Sequence, residues 1–223
     1  GRVEEKELTL TAYPAQELYG QELSVPGDIS SAAFFITAAL LVPRSRILMK
    51  GVGINPTRTG ILDVYRQMGA DIIVDNIREA GGELVGDIVA AHSALRGIEI
   101  GGSTIPRMID EIPILALAAT QADGTTIIRD AAELKVKESN RIDVVVRILQ
   151  AFGADIEATE DGMVIHGPTP LTGSTVTCEK DHRIAMMAAI AGLIAKGRTI
   201  ITDGQWVDVS FPGFFHVIDR LRA

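Results

Sequence analysis

The most polar stretch of the sequence is Glu133-Leu-Lys-Val-Lys-Glu-Ser-Asn-Arg141. If a helix begins near Lys137, then Lys137 and Arg141 are i,i+4 neighbours and Glu138 and Arg141 are i,i+3 neighbours. Two cations and a carboxylate then share one helix face near its N-terminus, where unpaired backbone N–H groups also favour anions. Such a group can hold a phosphate or a carboxylate and still offer an acid or a base. The plainer alternative is a solvated, salt-bridged helix start, worth roughly a few tenths of a kcal/mol per pair. Asp110 precedes an apolar run and suits an N-cap, as do Asp28 and Asp181 in equivalent places. Arg183 follows the Asp181 cap, a position where the helix dipole disfavours a cation, so its presence calls for a reason such as an anionic ligand. His182 beside it is either a proton donor or a packed or surface histidine. Arg58, in Gly53-Ile-Asn-Pro-Thr-Arg-Thr-Gly60, reads as a loop or helix-start arginine. Cys178 has no neighbouring base and reads as a small buried hydrophobe. Gly-x-Gly-x-x-Gly, Walker-loop and His-Glu-x-x-His motifs are absent.

The elements that must position these residues follow from an internal repeat. Asp28-Ile-Ser-Ser-Ala-Ala-Phe-Phe, Asp110-Glu-Ile-Pro-Ile-Leu-Ala-Leu and Asp181-His-Arg-Ile-Ala-Met-Met-Ala each open an apolar, alanine-rich run. None alternates, which predicts buried helices rather than strands. Each run ends at a turn, and a β-rich stretch follows: Ile47-Leu-Met-Lys, Thr126-Ile-Ile-Arg and Thr199-Ile-Ile-Thr. Second helices are predicted over Gly60–Met68, Ser139–Phe152 and Phe211–Leu221. Two of them are followed by the same tetrapeptide, Gly69-Ala-Asp-Ile and Gly153-Ala-Asp-Ile, and then by edge-accessible strands carrying Ile72, Val74, Ile156, Met163 and Ile165. A full unit therefore reads helix–strand–helix–strand–strand, and the third stops after its second helix. Short strands are also predicted at Glu7–Thr11 and Glu22–Val25.

The chain has 223 residues, 29 acidic against 21 basic, for a net charge of -8. That length carries an adequate core for one large or two small domains. A single cysteine excludes a disulfide framework or a cysteine-based zinc site. The acidic balance argues against nucleic acid as a partner while leaving room for a local basic pocket. The longest apolar runs extend about a dozen residues where a membrane span needs roughly 20, so no membrane association is expected. A reducing cytoplasm is the expected location. The opening Gly-Arg-Val, without Met, reads as a cut or engineered piece.

Lys137-Glu-Ser-Asn-Arg141 and Asp181-His-Arg-Ile-Ala-Met186 resemble the 5-enolpyruvylshikimate-3-phosphate synthase family. Gly27-Asp-Ile-Ser-Ser-Ala-Ala-Phe34, Val52-Gly-Ile-Asn55, Arg58-Thr-Gly60, Ile105-Pro-Arg107, Asp110-Glu111 and Ser210-Phe-Pro212 look like landmarks of that family, in its order. The resemblance runs from about Pro26 to Ala223 and matches only the C-terminal half of such an enzyme. It implies an α/β fold (α+β in some schemes) of repeated βα units with helices inside and sheets outside. Residues 1–26 are then the tail of a missing N-terminal domain and a crossover, and 27–223 the enolpyruvyl transferase domain, with units at about 27–103, 104–178 and 179–223.

The implied reaction moves the enolpyruvyl group of phosphoenolpyruvate to the 5-hydroxyl of shikimate 3-phosphate and releases phosphate, in aromatic amino acid biosynthesis. By resemblance, Asp110 is the base acting on that hydroxyl, and Lys137 contacts shikimate 3-phosphate. Glu138 handles the proton at the methylene carbon, and Arg141 and Arg183 hold phosphoenolpyruvate. Paired guanidinium forks suit two anionic substrates, and one proton lost and one gained calls for two carboxyl groups of different pKa. No cofactor or metal is implied. The implied partners are the two substrates and the chain's own N-terminal domain, with the full-length enzyme a monomer. Two departures stand out: Val209 and Lys135 occupy positions where many relatives have Lys and Arg. The competing readings are a UDP-N-acetylglucosamine enolpyruvyl transferase-like domain and a non-catalytic anion-binding module of the same fold.

Overall fold

The computed structural model describes residues 2–20 and 22–221. The chain opens with an antiparallel hairpin, β1 (Arg2–Lys6) and β2 (Thr9–Tyr13), whose residues are all exposed. This corrects both strands expected in the region. Glu7 takes a positive φ of 54° in the reversal, so the strand expected at Glu7–Thr11 straddles a turn. Residues 22–25 are exposed and form no strand, since no sheet edge accepts their backbone groups.

After this leader come α1 (Ile29–Leu41), β3 (Arg46–Gly53), α2 (Gly60–Gln67) and a hairpin of β4 (Asp71–Ala80) and β5 (Glu83–Ala91). The order returns as β6 (Glu99–Ile100), α3 (Ile112–Ala119), β7 (Gly124–Ile128), α4 (Arg141–Ala151), β8 (Asp155–Ala158) and β9 (Met163–Gly167). A third pass gives β10 (Thr175–Val176), α5 (His182–Ile194), β11 (Ile200–Ile201) and α6 (Phe214–Leu221). The corresponding sheets are ordered β3-β5-β4, β6-β7-β9-β8 and β10-β11. Met163 and Ile165, expected on an edge strand, lie on β9, which is flanked by β7 and β8. A short parallel approach also opens each sheet: Gly27 bridges Val52, β6 pairs with β7, and β10 pairs with β11. Two-residue pairings are too short to leave a periodic signature in sequence.

The three apolar runs are hydrophobic on every face, so their helices have no surface to offer water and must be enclosed. All eight residues of α3 are buried, and α1, α3 and α5 pack against one another as the core. The sheets stand outside them, which gives the expected α/β arrangement of inner helices and outer sheets. The amphipathic α2 and α4 end alike. Gly69 and Gly153 adopt φ of 93° and 94°, and their N–H groups donate back to Arg66 and Gln150 carbonyls. A Cβ at such a φ is strained, which is why the same Gly-Ala-Asp-Ile follows both helices.

At the opposite helix ends the capping expectation holds twice and fails once. Asp28 accepts from the Ser30 and Ser31 N–H groups at 3.2 and 2.8 Å, and Asp181 accepts from the Arg183 N–H at 3.0 Å. Asp110 does not cap α3. It lies in a 3-10 turn, Ile109–Glu111, and Glu111 takes the cap position without a side-chain cap bond. The second helical residue there is Pro113, which has no N–H for a cap to bind. The expected helix start near Lys137 is also displaced. Asn140 caps α4 by accepting from the Asp143 N–H, so the helix begins at Arg141 and Lys137 is extended.

Candidate active site

Freed from capping, the Asp110 carboxylate meets three cations. Its Oδ1 lies 3.2 Å from Arg141 Nη1 and 3.9 Å from Lys137 Nζ, and its Oδ2 lies 3.3 Å from Arg183 Nη2. These groups come from the turn before α3, the segment before α4 together with that helix's first residue, and the first turn of α5. Helices that pack side by side bring their starts together, so residues far apart in sequence share one end of the core. Three of the five residues singled out from sequence thus converge on a fourth, Asp110, and Glu138 joins them by pairing with Arg141 Nη2.

Arg141 is the hub of the cluster. Its guanidinium grips Asp181 as a fork, Nε to Oδ2 at 2.8 Å and Nη2 to Oδ1 at 3.4 Å. Arg141 is 1% exposed and Asp181 fully buried, a pair acceptable in a core only because further hydrogen bonds surround it. Ser139 donates to Asp181 Oδ2 at 3.1 Å, and the Arg183 amide completes the set. Burial alone would raise the Asp181 pKa, but the Arg141 hydrogen bond and charge, with help from Ser139 and the Arg183 amide, hold it below the ordinary aspartate value. Asp181 was expected only as a cap, so its second role as a buried counterion is visible in the fold alone. Lys137 and Arg141 share no helix face, yet both reach Asp110, and Lys137 also pairs with Glu133 at 2.5 Å.

Glu111 is the site residue that sequence reasoning passed over, naming it only as Asp110's neighbour. It is 1% exposed, accepts from the Ser30 hydroxyl, and lies 4.0 Å from Arg183 Nη1. Burial raises its pKa, an effect that Ser30 and Arg183 partly offset. The available signal was a second carboxylate placed directly against an apolar run with no exposed face. Arg58 joins from the first repeat, donating from Nη2 to the same Ser30 oxygen at 3.0 Å. A cleft of about 150 Å³ opens between Arg58, Asp110 and Glu111.

His182 is partly buried, and burial together with the Arg183 charge pushes its pKa below the ordinary imidazole value, so the ring is neutral near pH 7. Cys178 is buried, and its thiol is pushed up to about 12 by burial and the nearby Asp203, which fits a packing role. Val209, itself exposed, closes the 3-10 turn Gly204–Val209. Among the described residues no helix is long and apolar enough to cross a membrane. Chemically, the cluster can bind oxyanions through the Arg183 fork, the Lys137 ammonium group and the Nη1 edge of Arg141, while holding two partly exposed carboxylates, Asp110 and Glu138, beside them.

The family model described as EPSP synthase (3-phosphoshikimate 1-carboxyvinyltransferase) matches residues 1–218. The 3-phosphoshikimate 1-carboxyvinyltransferase of Desulforudis audaxviator (strain MP104C) is 57% identical over 214 residues, covering 96% of this chain and 50% of that protein. The enzyme of the same name from Geobacillus kaustophilus (strain HTA426) is 57% identical over 217 residues, covering 96% of this chain and 51% of that protein. A solved EPSP synthase from Acinetobacter baumannii superposes with a TM-score of 0.95 at 40% identity, covering 99% of this chain and 51% of that one. The enolpyruvyl transferase NikO from Streptomyces tendae, at 24% identity and a TM-score of 0.69, shares the fold. The chain spans about half the length of the curated relatives it matches. By sequence and by fold, it belongs to the EPSP synthase family.

Proposed function

We propose that this chain forms one half of a two-domain cleft that transfers the enolpyruvyl group of phosphoenolpyruvate to the 5-hydroxyl of shikimate 3-phosphate. The observation that carries the reading is the convergence of Lys137, Arg141 and Arg183 on Asp110, with Glu138 alongside. Arg141 and Arg183 hold phosphoenolpyruvate and Lys137 meets shikimate 3-phosphate, which sets two anions close enough to react. Asp110 takes the proton of the 5-hydroxyl as its oxygen bonds to the substituted carbon of phosphoenolpyruvate. Glu138 delivers a proton to the methylene carbon, giving a tetrahedral intermediate. Removal of a proton from the new methyl group then expels phosphate and restores the double bond. Residues 1–26 serve as the tail of the other domain and the crossover, and 27–223 as the domain that carries these side chains. On this reading the partners are the two substrates and the N-terminal half, and the complete enzyme is a cytoplasmic monomer, in keeping with the acidic chain.

The test joins this chain to the N-terminal half of the Geobacillus kaustophilus relative and follows phosphate release with both substrates present. Asp110→Asn and Glu138→Gln should each lower kcat by about 100-fold or more, the scale of a lost general acid or base. Wild-type rates in both variants would falsify the assignment. The 223-residue chain by itself should turn over negligibly, because further cations that hold the substrates lie in the other domain on this reading.

A further inference from the structure

One guanidinium in the site stands apart from the others. Arg141, Arg183 and Lys137 each face at least one carboxylate within 4.0 Å, whereas no such pair engages Arg58 among the described residues. Arg58 is exposed, and its hydrogen bond among the described residues runs from Nη2 to Ser30 Oγ at 3.0 Å. Ser30 is 2% exposed, and its hydroxyl donates onward to the buried Glu111. Nε and Nη1 remain available to the cleft of about 150 Å³ that Arg58 lines with Pro106, Met108, Ile109, Asp110 and Glu111.

We propose that Arg58 forms an oxyanion subsite, in which its free donors take a carboxylate or phosphate group of a substrate lying next to Asp110, with Ser30 and Glu111 as its tether. The proposal rests on the reading of Asp110 as the substrate-facing base and adds a cation from the first repeat. Two carboxylates line the same cleft, and each already has partners within the protein. Asp110 is engaged by Arg141 and Arg183, and Glu111 is committed to Ser30 at a depth where burial disfavours its charged form. The tether fixes the fork's orientation before a ligand arrives, so less side-chain freedom is lost on binding.

The 223-residue chain, titrated with inorganic phosphate, phosphoenolpyruvate and shikimate 3-phosphate and followed by NMR chemical shifts, tests the subsite. Arg58→Gln should weaken the ligand that uses the subsite by about tenfold, the scale of one charged hydrogen bond, and Arg58→Lys should restore part of the loss. Ser30→Ala, which removes only the tether, should weaken the same ligand by a smaller factor. A parallel loss for inorganic phosphate identifies the bound group as a phosphate, and a loss confined to an organic substrate identifies a carboxylate. Equal affinities in wild type and Arg58→Gln for all three ligands, or no binding of any, overturn the subsite. Arg183→Gln separates it from the functional reading. If that variant loses phosphoenolpyruvate and Arg58→Gln loses nothing, only the subsite falls; unchanged phosphoenolpyruvate binding in Arg183→Gln counts against the functional reading itself.

Discussion

Asp110 and Asp181 look alike in the sequence, each opening an apolar run, and the structure gives them opposite work. Asp181 is buried and saturated by Arg141, Ser139 and a backbone N–H, while Asp110, 29% exposed, faces the cations from the open side. Removing one partner of a buried ion pair strands the other charge, so Asp181→Ala should cost about 3–5 kcal/mol of stability in urea unfolding. A loss below about 1 kcal/mol would mean that Arg141 finds water or another carboxylate. The two shifted carboxylates also give stability a signed pH dependence. Asp181 has a lowered pKa, so its contribution is present at neutral pH and is lost as pH falls through the folded value, below about 4. Glu111 has a raised pKa, so its penalty is largest at neutral pH and eases as pH drops toward about 4.5. Glu111→Gln should therefore gain stability relative to wild type near pH 7.5, with the two converging near pH 4.5. A difference that stays constant across that range would contradict the burial argument.

At the scale of elements, the central helices were legible because their composition leaves one solution. A run such as Ile112–Ala119, with no polar face, is stable only when enclosed, and α3 is buried at every residue. Leu117, with no exposed surface, has α1 and α5 against its helix, and Leu117→Ala should cost about 2–5 kcal/mol through lost transfer energy and a residual cavity. Calorimetry or urea titration would show it, and a loss under about 1 kcal/mol would mean that the neighbouring helices collapse onto the gap. Element ends were less legible. The Lys137 segment has good helix formers, but Asn140 offers a better cap, and one capping bond outweighs the small propensity differences of the residues before it. The strand expected at Glu7–Thr11 failed for a similar reason, because alternation alone does not say where a hairpin turns.

The whole molecule carries a net charge of -8, yet its cations of interest gather where three helix starts meet. Net charge is a sum over the surface and says nothing about a few buried or half-buried forks. The leading hairpin is the other feature of the whole chain. Every residue of β1 and β2 is exposed, so the pair adds nothing to the core. Deleting residues 2–13 should leave the unfolding free energy within about 0.5 kcal/mol of the parent, as expected for surface changes away from packing or capping features. A larger loss would show that the hairpin packs onto the domain in solution.

By itself, the sequence determined the repeated order of elements, the enclosed helices, the glycine-terminated α2 and α4, and the residue types of the site. Each of these is written locally, as periodicity, composition or a required backbone angle. Tertiary structure alone decided which carboxylate caps and which meets the cations of the other helix starts. It also decided that Arg141 spends its fork on Asp181, that Glu111 is buried, and that Arg58 reaches Ser30. Those outcomes depend on distances between residues dozens of positions apart, set by how three buried helices pack, and no local pattern encodes such a distance.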